Sequence, residues 1–255
     1  LPNNVLCYAS IMLDAKGPNS NYTSAETSGQ MAMLNAARRI QYGKIELAVA
    51  GGFCAHTEPV IENMLGSNGC LKKDVASDED GSILADGSVF YMLEDKNKAK
   101  ERNAKVIATF IGGALANEAK GGFKAVSDQP TLIKALNRTI KDAGLSTSDI
   151  GLVLTSGTDI QTLDNAEKVS VDAVFGPESI KPAVGTIGKV TGNLMEAGGL
   201  LEIAMAPKLY EIGELPKSMI TREGYSTKID SSKPYTMIIR ASMFGDWSCL
   251  LIKNP

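Results

Sequence analysis

The sequence predicts an α/β protein. Short apolar runs bounded by glycine alternate with segments of helical periodicity along the whole chain. The links between them are short. No low-complexity stretch or Pro/Gly/Ser-rich linker separates two independent domains.

The elements read in order. After the Gly17-Pro18-Asn19 turn, residues 20–25 read as a short strand. Residues 27–42 read as a helix, with Met31, Leu34, Ala37 and Ile40 at three-residue spacing and Gly43 as its stop. Residues 45–50 form an apolar run ending in Gly51-Gly52, the pattern of a buried strand. Residues 89–93 are a further strand, 96–103 a charged solvated helix, and 106–111 the strand after it. The grammar then repeats. Residues 131–143 place Leu132, Ile133, Leu136 and Ile140 on one helical face, with Gly144 as the stop. Residues 145–150 turn into a strand at 150–155, a helix follows at 166–174, and a short strand at 184–186. Residues 197–209 are an apolar helix rich in Gly and Ala, suited to close packing under a sheet. Strands at 236–240 and 249–252 close the chain.

Composition bounds the function. The 255 residues, 44% hydrophobic and 22% charged, can bury a sizeable core. A net charge of −3 with no basic stripe argues against a nucleic-acid partner. No run of eighteen apolar residues offers a membrane span. One histidine, His56, removes any two-histidine metal site or mechanism. It is expected to be a solvated or core residue in a loop after Gly51-Gly52. Cys7, Cys54, Cys70 and Cys249 are widely spaced and form no CxxC motif, as expected of reduced thiols in a cytoplasmic protein. The acidic run Asp78-Glu79-Asp80 reads as a solvated turn, because carboxylates adjacent in sequence rarely converge on a cation. Asp164 and Glu167 suit the positive end of a helix and read as structural. Neither a metal nor a cofactor is implied. The chain opens Leu1-Pro2-Asn3, and residues 5–13 lack the basic flank and cleavage site of a signal peptide.

Four patches carry more. The first is Gly17-Pro18-Asn19, then Thr23-Ser24-Ala25-Glu26-Thr27-Ser28-Gly29, a helix, and Ala48-Val49-Ala50-Gly51-Gly52. The second is Asp80-Gly81-Ser82-Ile83-Leu84-Ala85-Asp86-Gly87, followed by Met92-Leu93-Glu94-Asp95 and Ala99-Lys100-Glu101-Arg102. The third is Ser156-Gly157-Thr158 with Asp164, Glu167 and Phe175-Gly176 downstream. The fourth is Lys189-Val190-Thr191-Gly192-Asn193 with Glu196-Ala197-Gly198-Gly199. In this order and spacing they resemble the β-ketoacyl synthases over almost the whole chain. The resemblance implies a thiolase-like fold, layered α-β-α-β-α, built from two similar halves. It also implies that most of the first half is missing. Residues 1–112 would hold the remainder of the N-terminal half, including the nucleophile elbow, and residues 113–255 the C-terminal half.

The chemistry of that family needs a thiolate on a sharp strand-to-helix turn, where the helix N-terminus favours the anion. It also needs donors aimed at the enolate oxygen that develops as a malonyl group loses carbon dioxide. Here the nucleophile position is Glu26, and the two histidine positions are Ser156 and Asn193. A carboxylate is a poor acyl carrier, because its adduct is a mixed anhydride. Glu26 is instead expected to stay ionised and satisfy free N–H groups at the helix start. Ser156 and Asn193 can donate hydrogen bonds but cannot act as histidine bases. Lys189 lies one residue nearer Asn193 than the family lysine, with Gly188 in that place; in an extended segment this turns the side chain to the other face. The closing glycine-rich loop is reduced to Ser242-Met243-Phe244-Gly245-Asp246-Trp247.

With every catalytic position altered, the resemblance narrows to a chain length factor of a type II polyketide synthase. Such a subunit is non-catalytic, pairs with an active ketosynthase and bounds the tunnel in which the product grows. The partners implied are an active ketosynthase subunit, an N-terminal fragment of the same protein, and transiently an acyl carrier protein. The interface would use Asn19, Ser20, Asn21, Tyr22, Thr23, Ser24 and Ala25. Other readings stay open: a malonyl-carrier decarboxylase that primes the system through Ser156 and Asn193, a pseudo-ketosynthase of a polyene or fatty-acid-like pathway, and an unrelated α/β binding module.

Overall fold

The computed structural model describes residues 3–55, 59–75, 77–119, 129–176, 181–220 and 222–255. Helix α1 (Asn4–Met12) leads into an extended segment, a 3-10 turn at Ala25–Thr27, and helix α2 (Ser28–Gln41). Strand β1 (Leu47–Cys54), helix α3 (Pro59–Ser67), strand β2 (Gly87–Glu94) and helix α4 (Lys96–Glu101) follow. The second half runs β3 (Thr109–Asn117), α5 (Gln129–Asp142), β4 (Ile150–Thr155), α6 (Gln161–Phe175), β5 (Ala183–Thr186), α7 (Gly188–Thr191), a 3-10 turn at Met195–Ala197, α8 (Gly198–Ile212), β6 (Tyr235–Ala241) and β7 (Asp246–Lys253).

Two sheets result. β1 and β2 pair as an antiparallel ribbon. The other five strands lie in the order β3-β7-β6-β4-β5, with β4 parallel to both neighbours and β7 antiparallel to β3 and β6. Every residue of β4 is buried, as an unbroken apolar run covered on both faces should be. Helices α2 and α8 form the middle layer. Met33, Leu34, Leu200, Ile203 and Leu209 pack there with Ala50 of β1 and with Ile238 and Leu250 of the large sheet. On the far side of the large sheet, Leu132, Leu136 and Ile140 of α5 pack with Leu163 and Ala166 of α6 against Met237, Ile239 and Leu251. The helix starts of α2 and α8 back onto each other. A Cβ on Gly29 would stand 2.1 Å from the Glu196 carbonyl oxygen, and one on Gly199 would stand 2.3 Å from Gln30 Nε2. Only glycine allows that approach.

Several expectations need correction. Residues 20–24 form no strand: among the described residues no strand lies beside them to offer a ladder. The strand expected at 45–50 runs eight residues from Leu47, and its outer face is exposed: with one face covered, it alternates instead of burying throughout. The strand expected at 106–111 starts at Thr109 and runs to Asn117, where it pairs with β7. Helix α6 starts five residues earlier than read. Asp80 Oδ1 accepts from the Gln161 N–H at 2.7 Å, so a distant carboxylate supplies the start signal. Helices α1 and α3 had no expectation, and α7 takes the place of an expected extended segment.

Candidate functional site

The elbow keeps its backbone without its thiol. Ala25 has φ +43°, a left-handed conformation that costs a non-glycine residue about 1–3 kcal/mol. Glu26 follows inside the 3-10 turn and is 1% exposed. It does not cap the helix as expected. Among the described residues neither carboxylate oxygen has a hydrogen bond of full geometry, although the Ser242 side chain and the Met243 and Glu26 backbone lie near enough to favour its charge. The Ser24 N–H goes to Ser28 Oγ at 2.6 Å, and Thr27 Oγ1 donates to the Ser24 carbonyl at 2.9 Å. Burial pushes the Glu26 carboxyl above its ordinary range, against the pull of nearby Ser242, the Met243 backbone and the Arg240 charge. Desolvation outweighs the groups that favour the anion here, so burial works against the ionised Glu26 that was expected.

Ser156 closes β4 and is spent on internal bonds. Its Oγ donates a short bond to Glu167 Oε1 and accepts from the Ala241 N–H at 2.7 Å. Its N–H reaches Glu167 Oε2 at 3.1 Å, and its carbonyl accepts from Arg240 Nη1 at 2.9 Å. Asn193 is equally occupied. Its Oδ1 accepts from the Met195 N–H at 2.9 Å, and its Nδ2 donates to Ser82 Oγ at 3.3 Å. Ser82 in turn donates a short bond to the Thr158 carbonyl. That chain ties the Asn193 loop to the Ser156 loop. Asp164 fixes the latter, accepting from the Thr158 N–H at 3.0 Å and the Asp159 N–H at 3.1 Å.

Behind these positions lies a buried charge cluster that the sequence reading missed. Arg240 Nη1 is 3.2 Å from Glu202 Oε1, with both side chains at most 2% exposed. Glu167 sits on the other side of Ser156. Burial pushes both glutamates up to about 8, and Arg240 pulls each back only in part. The available signal was a lone arginine inside the apolar strand Thr236-Met237-Ile238-Ile239-Arg240-Ala241.

The remaining candidates fall elsewhere. Lys189 lies on α7, so the segment is helical and not extended as expected. One position there turns a side chain about 100° around the axis. Lys189 Nζ points to Asp159, 3.6 Å away, which also pairs with Lys72 at 3.0 Å. In the closing loop, Asp246 accepts from Ser24 Oγ at 2.8 Å and Asn117 Nδ2 at 2.7 Å. The buried Trp247 indole donates to Glu118 at 2.7 Å. Burial pushes the Cys54 thiol up to about 12 and raises Cys70 and Cys249. His56 lies outside the described residues. Among the described residues, Asp78, Glu79 and Asp80 are exposed, no His/Cys/Asp/Glu group could hold a metal ion, and no helix is long and apolar enough to cross a membrane. An open cleft of about 590 Å³ beside Lys96 and Lys100 includes neither Glu26, Ser156 nor Asn193.

As built, the site has no thiol at its elbow, and its two expected donors already have partners. Comparison with known proteins places the arrangement. Residues 2–99 match the model of the β-ketoacyl synthase N-terminal domain, and residues 107–221 that of the C-terminal domain. The 3-oxoacyl-[acyl-carrier-protein] synthase 2 of Vibrio harveyi is 30% identical over 78% of this chain and 51% of its own length. Nodulation protein E of Rhizobium sp. (strain N33) is 24% identical over 88% of this chain and 56% of its own. The chain thus spans about half the length of the curated relatives it matches. A type II polyketide ketosynthase solved with its acyl-carrier protein superposes with TM-score 0.88 at 19% identity, covering 99% of this chain and 67% of that one. The ishigamide ketosynthase/chain length factor gives 0.75 at 19% identity, covering 91% and 60%. The thiolase-like layered fold follows from these superpositions.

Proposed function

The chain belongs to the β-ketoacyl synthase family, and we propose that within it the chain is a non-condensing subunit of the chain-length-factor kind. One observation carries this reading. The elbow backbone is kept, while its nucleophile position holds a buried glutamate and both donor positions are tied into the protein's own hydrogen bonds. No thiolate can form at Glu26, so no acyl chain can be held there as a thioester. Such a subunit acts by shape: it bounds a growing chain that a partner elongates.

The partners follow from that role. An active ketosynthase would supply the cysteine, an acyl carrier protein would visit the pair, and an N-terminal fragment would supply the rest of the first half. The division read from the sequence, 1–112 and 113–255, would cut β3, so the boundary is placed between α4 and β3. The surface toward the ketosynthase would be Asn19 to Ala25 together with α1. Among the described residues, residues 20–23 make no backbone–backbone hydrogen bond. Helix α1 buries none of its residues, and Tyr8, Ile11 and Met12 stand 69%, 75% and 85% exposed. Backbone without a ladder beside an exposed apolar helix suits a neighbour.

The test is intact-mass analysis of the chain, its ketosynthase partner and acyl-loaded carrier protein incubated together. The acyl adduct is expected on the partner's cysteine and absent from this chain, and removing this chain should abolish or lengthen the distribution of products. An adduct on this chain would end the reading. A decarboxylase role would require Ser156 and Asn193 to release their present partners. Malonyl-carrier turnover by the isolated chain, lost in Asn193→Ala, would favour that role instead.

A further inference from the structure

We propose that Asp246 is a positioning residue. Through Ser24 it fixes the bend by which residues 19–23 enter the elbow, and so sets the shape in which this segment meets a cysteine-bearing ketosynthase. The inference rests on the subunit reading above and adds to that interface a side chain that lies outside it.

Ser24 stands immediately before the strained elbow residue. Its backbone, at φ −147° and ψ 42°, lies outside the ordinary strand and helix regions, and the left-handed Ala25 follows it. Two such residues in a row persist where their surroundings over-determine them. The Ser24 N–H goes to Ser28 Oγ at 2.6 Å. Its carbonyl accepts from the Thr27 N–H at 3.1 Å and from Thr27 Oγ1 at 2.9 Å. Those bonds stay within the turn and the first residue of α2. The hydroxyl alone reaches farther: Ser24 Oγ donates to Asp246 Oδ2 at 2.8 Å, across 222 residues of sequence. Asp246 is fixed in turn. It opens β7 opposite Asn117 of β3, and its second oxygen, Oδ1, accepts from Asn117 Nδ2 at 2.7 Å. Asn117 Oδ1 accepts from the Ala119 N–H at 2.6 Å, and the Asp246 carbonyl accepts from the Ser242 N–H at 2.8 Å. One carboxylate thus offers one oxygen to each of two donors, and joins the elbow to the large sheet.

Upstream of Ser24 the segment has little else to hold it. Asn19, Ser20, Asn21 and Thr23 are exposed. Among the described residues, its other hydrogen bond runs from Asn19 Nδ2 to Ser10 Oγ at 3.4 Å, and Ser10 lies on α1, which buries none of its residues. The course of residues 19–23 relative to the large sheet is therefore set at one end, by the bend at Ser24. A partner that pairs with a segment already held in one shape does not have to order it on binding, and this favours association. Without the Asp246 bond, the Ser24 backbone is free to relax toward an ordinary conformation and the segment leaves the elbow in another direction. The fold of the body would survive that loss, because the ladders of the large sheet do not pass through Ser24.

The test takes the pair isolated from cells that make the protein, with the ketosynthase identified by its alkylatable cysteine, and measures its dissociation constant by dilution and native mass spectrometry. Ser24→Ala and Asp246→Ala should each raise that constant about tenfold. The double variant should raise it no further, because both changes remove the same bond. Asp246→Asn should pair as the parent does, since its Oδ1 can accept from Asn117 while its Nδ2 donates to Ser24 Oγ. In the chain alone, chymotryptic cleavage after Tyr22 should quicken in Ser24→Ala and not in Asp246→Asn. If Asp246→Ala does not fold, Ser24→Ala and Asp246→Asn carry the comparison. A Ser24→Ala chain that loses thermal midpoint yet pairs with the parental constant would overturn the proposal, because that is what a merely structural bond would do. Additive losses in the double variant, or cleavage after Tyr22 that does not quicken, would overturn it as well. A parent chain that pairs with no cysteine-bearing ketosynthase strikes the subunit reading itself, and the proposal with it.

Discussion

Ser156→Ala distinguishes a structural serine from a chemical one. The hydroxyl is 2% exposed and makes two bonds, to Glu167 Oε1 and from the Ala241 N–H. Alanine leaves both of those groups buried and short of a partner. Each such orphan costs about 1–3 kcal/mol. Glu167 keeps the Ser156 N–H at 3.1 Å, so its loss falls at the low end. The two together come to about 3 kcal/mol. For a chain of this size, about 2–4 °C of thermal midpoint is lost per kcal/mol, which sets a fall of about 6–12 °C. Differential scanning calorimetry at neutral pH measures it, and the urea midpoint should drop with the slope unchanged. A fall of less than about 1 °C would refute the reasoning. It would mean that the hydroxyl is not held by these bonds and is free for a substrate.

Three further outcomes follow from the same geometry. Glu167 carries a folded-state value of about 8 against 4.5 in the unfolded chain, so the folded form binds the extra proton between those limits. Its contribution is complete below pH 4.5 and lost as pH rises through about 8, so stability should fall across that window, and Glu167→Gln should flatten the fall in a series of thermal melts. Glu26→Gln keeps the volume and removes a desolvated carboxyl whose folded-state value is raised; the variant should gain stability over the parent as pH rises above the ordinary carboxylate range, and a variant-minus-parent difference in thermal midpoint that does not change with pH would refute the account of Glu26. Tyr22→Pro removes a backbone donor from the proposed pairing segment, so native mass spectrometry should show the ketosynthase pair weakened or lost while the melt of the chain alone is unchanged; an intact pair would remove residues 19–25 from the interface.

The alternating architecture was legible because periodicity reports which faces are buried. α5 shows this best: Leu132, Leu136 and Ile140 recur at helical spacing, and all three are buried. Legibility failed where a partner remote in sequence decides the outcome. Helix α6 begins at a carboxylate eighty-one residues away. Residues 20–24 have the sequence of a strand and no neighbour to pair with. At the site, Glu26, Ser156 and Asn193 could be located by spacing, but their states could not. The burial and the raised carboxyl of Glu26 depend on how Ser242, Met243 and Arg240 fold over it. Ser82, which joins the Asn193 and Ser156 loops, looked like one more polar residue in a glycine-rich stretch. Arg240 was visible as an oddity, but its pairing with Glu202 on α8 was not.

The retained strain at the elbow has a cause other than catalysis. Strained backbone clusters at active sites, and Ala25 taken alone would invite that inference. Met195 adopts the same conformation at the matching place in the second half, where no nucleophile is expected. Both strained residues precede a glutamate, a 3-10 turn and a helix start, and the two helix starts meet at Gly29 and Gly199. The strained turn is what brings each helix close enough for Gly29 to lie against the Glu196 carbonyl. Relaxing Ala25 would therefore disturb the junction of the two halves, whether or not residue 26 reacts with anything. A chain can lose every chemical group at this elbow and still be obliged to keep its shape. That is the condition under which a subunit can serve a partner's chemistry by shape alone.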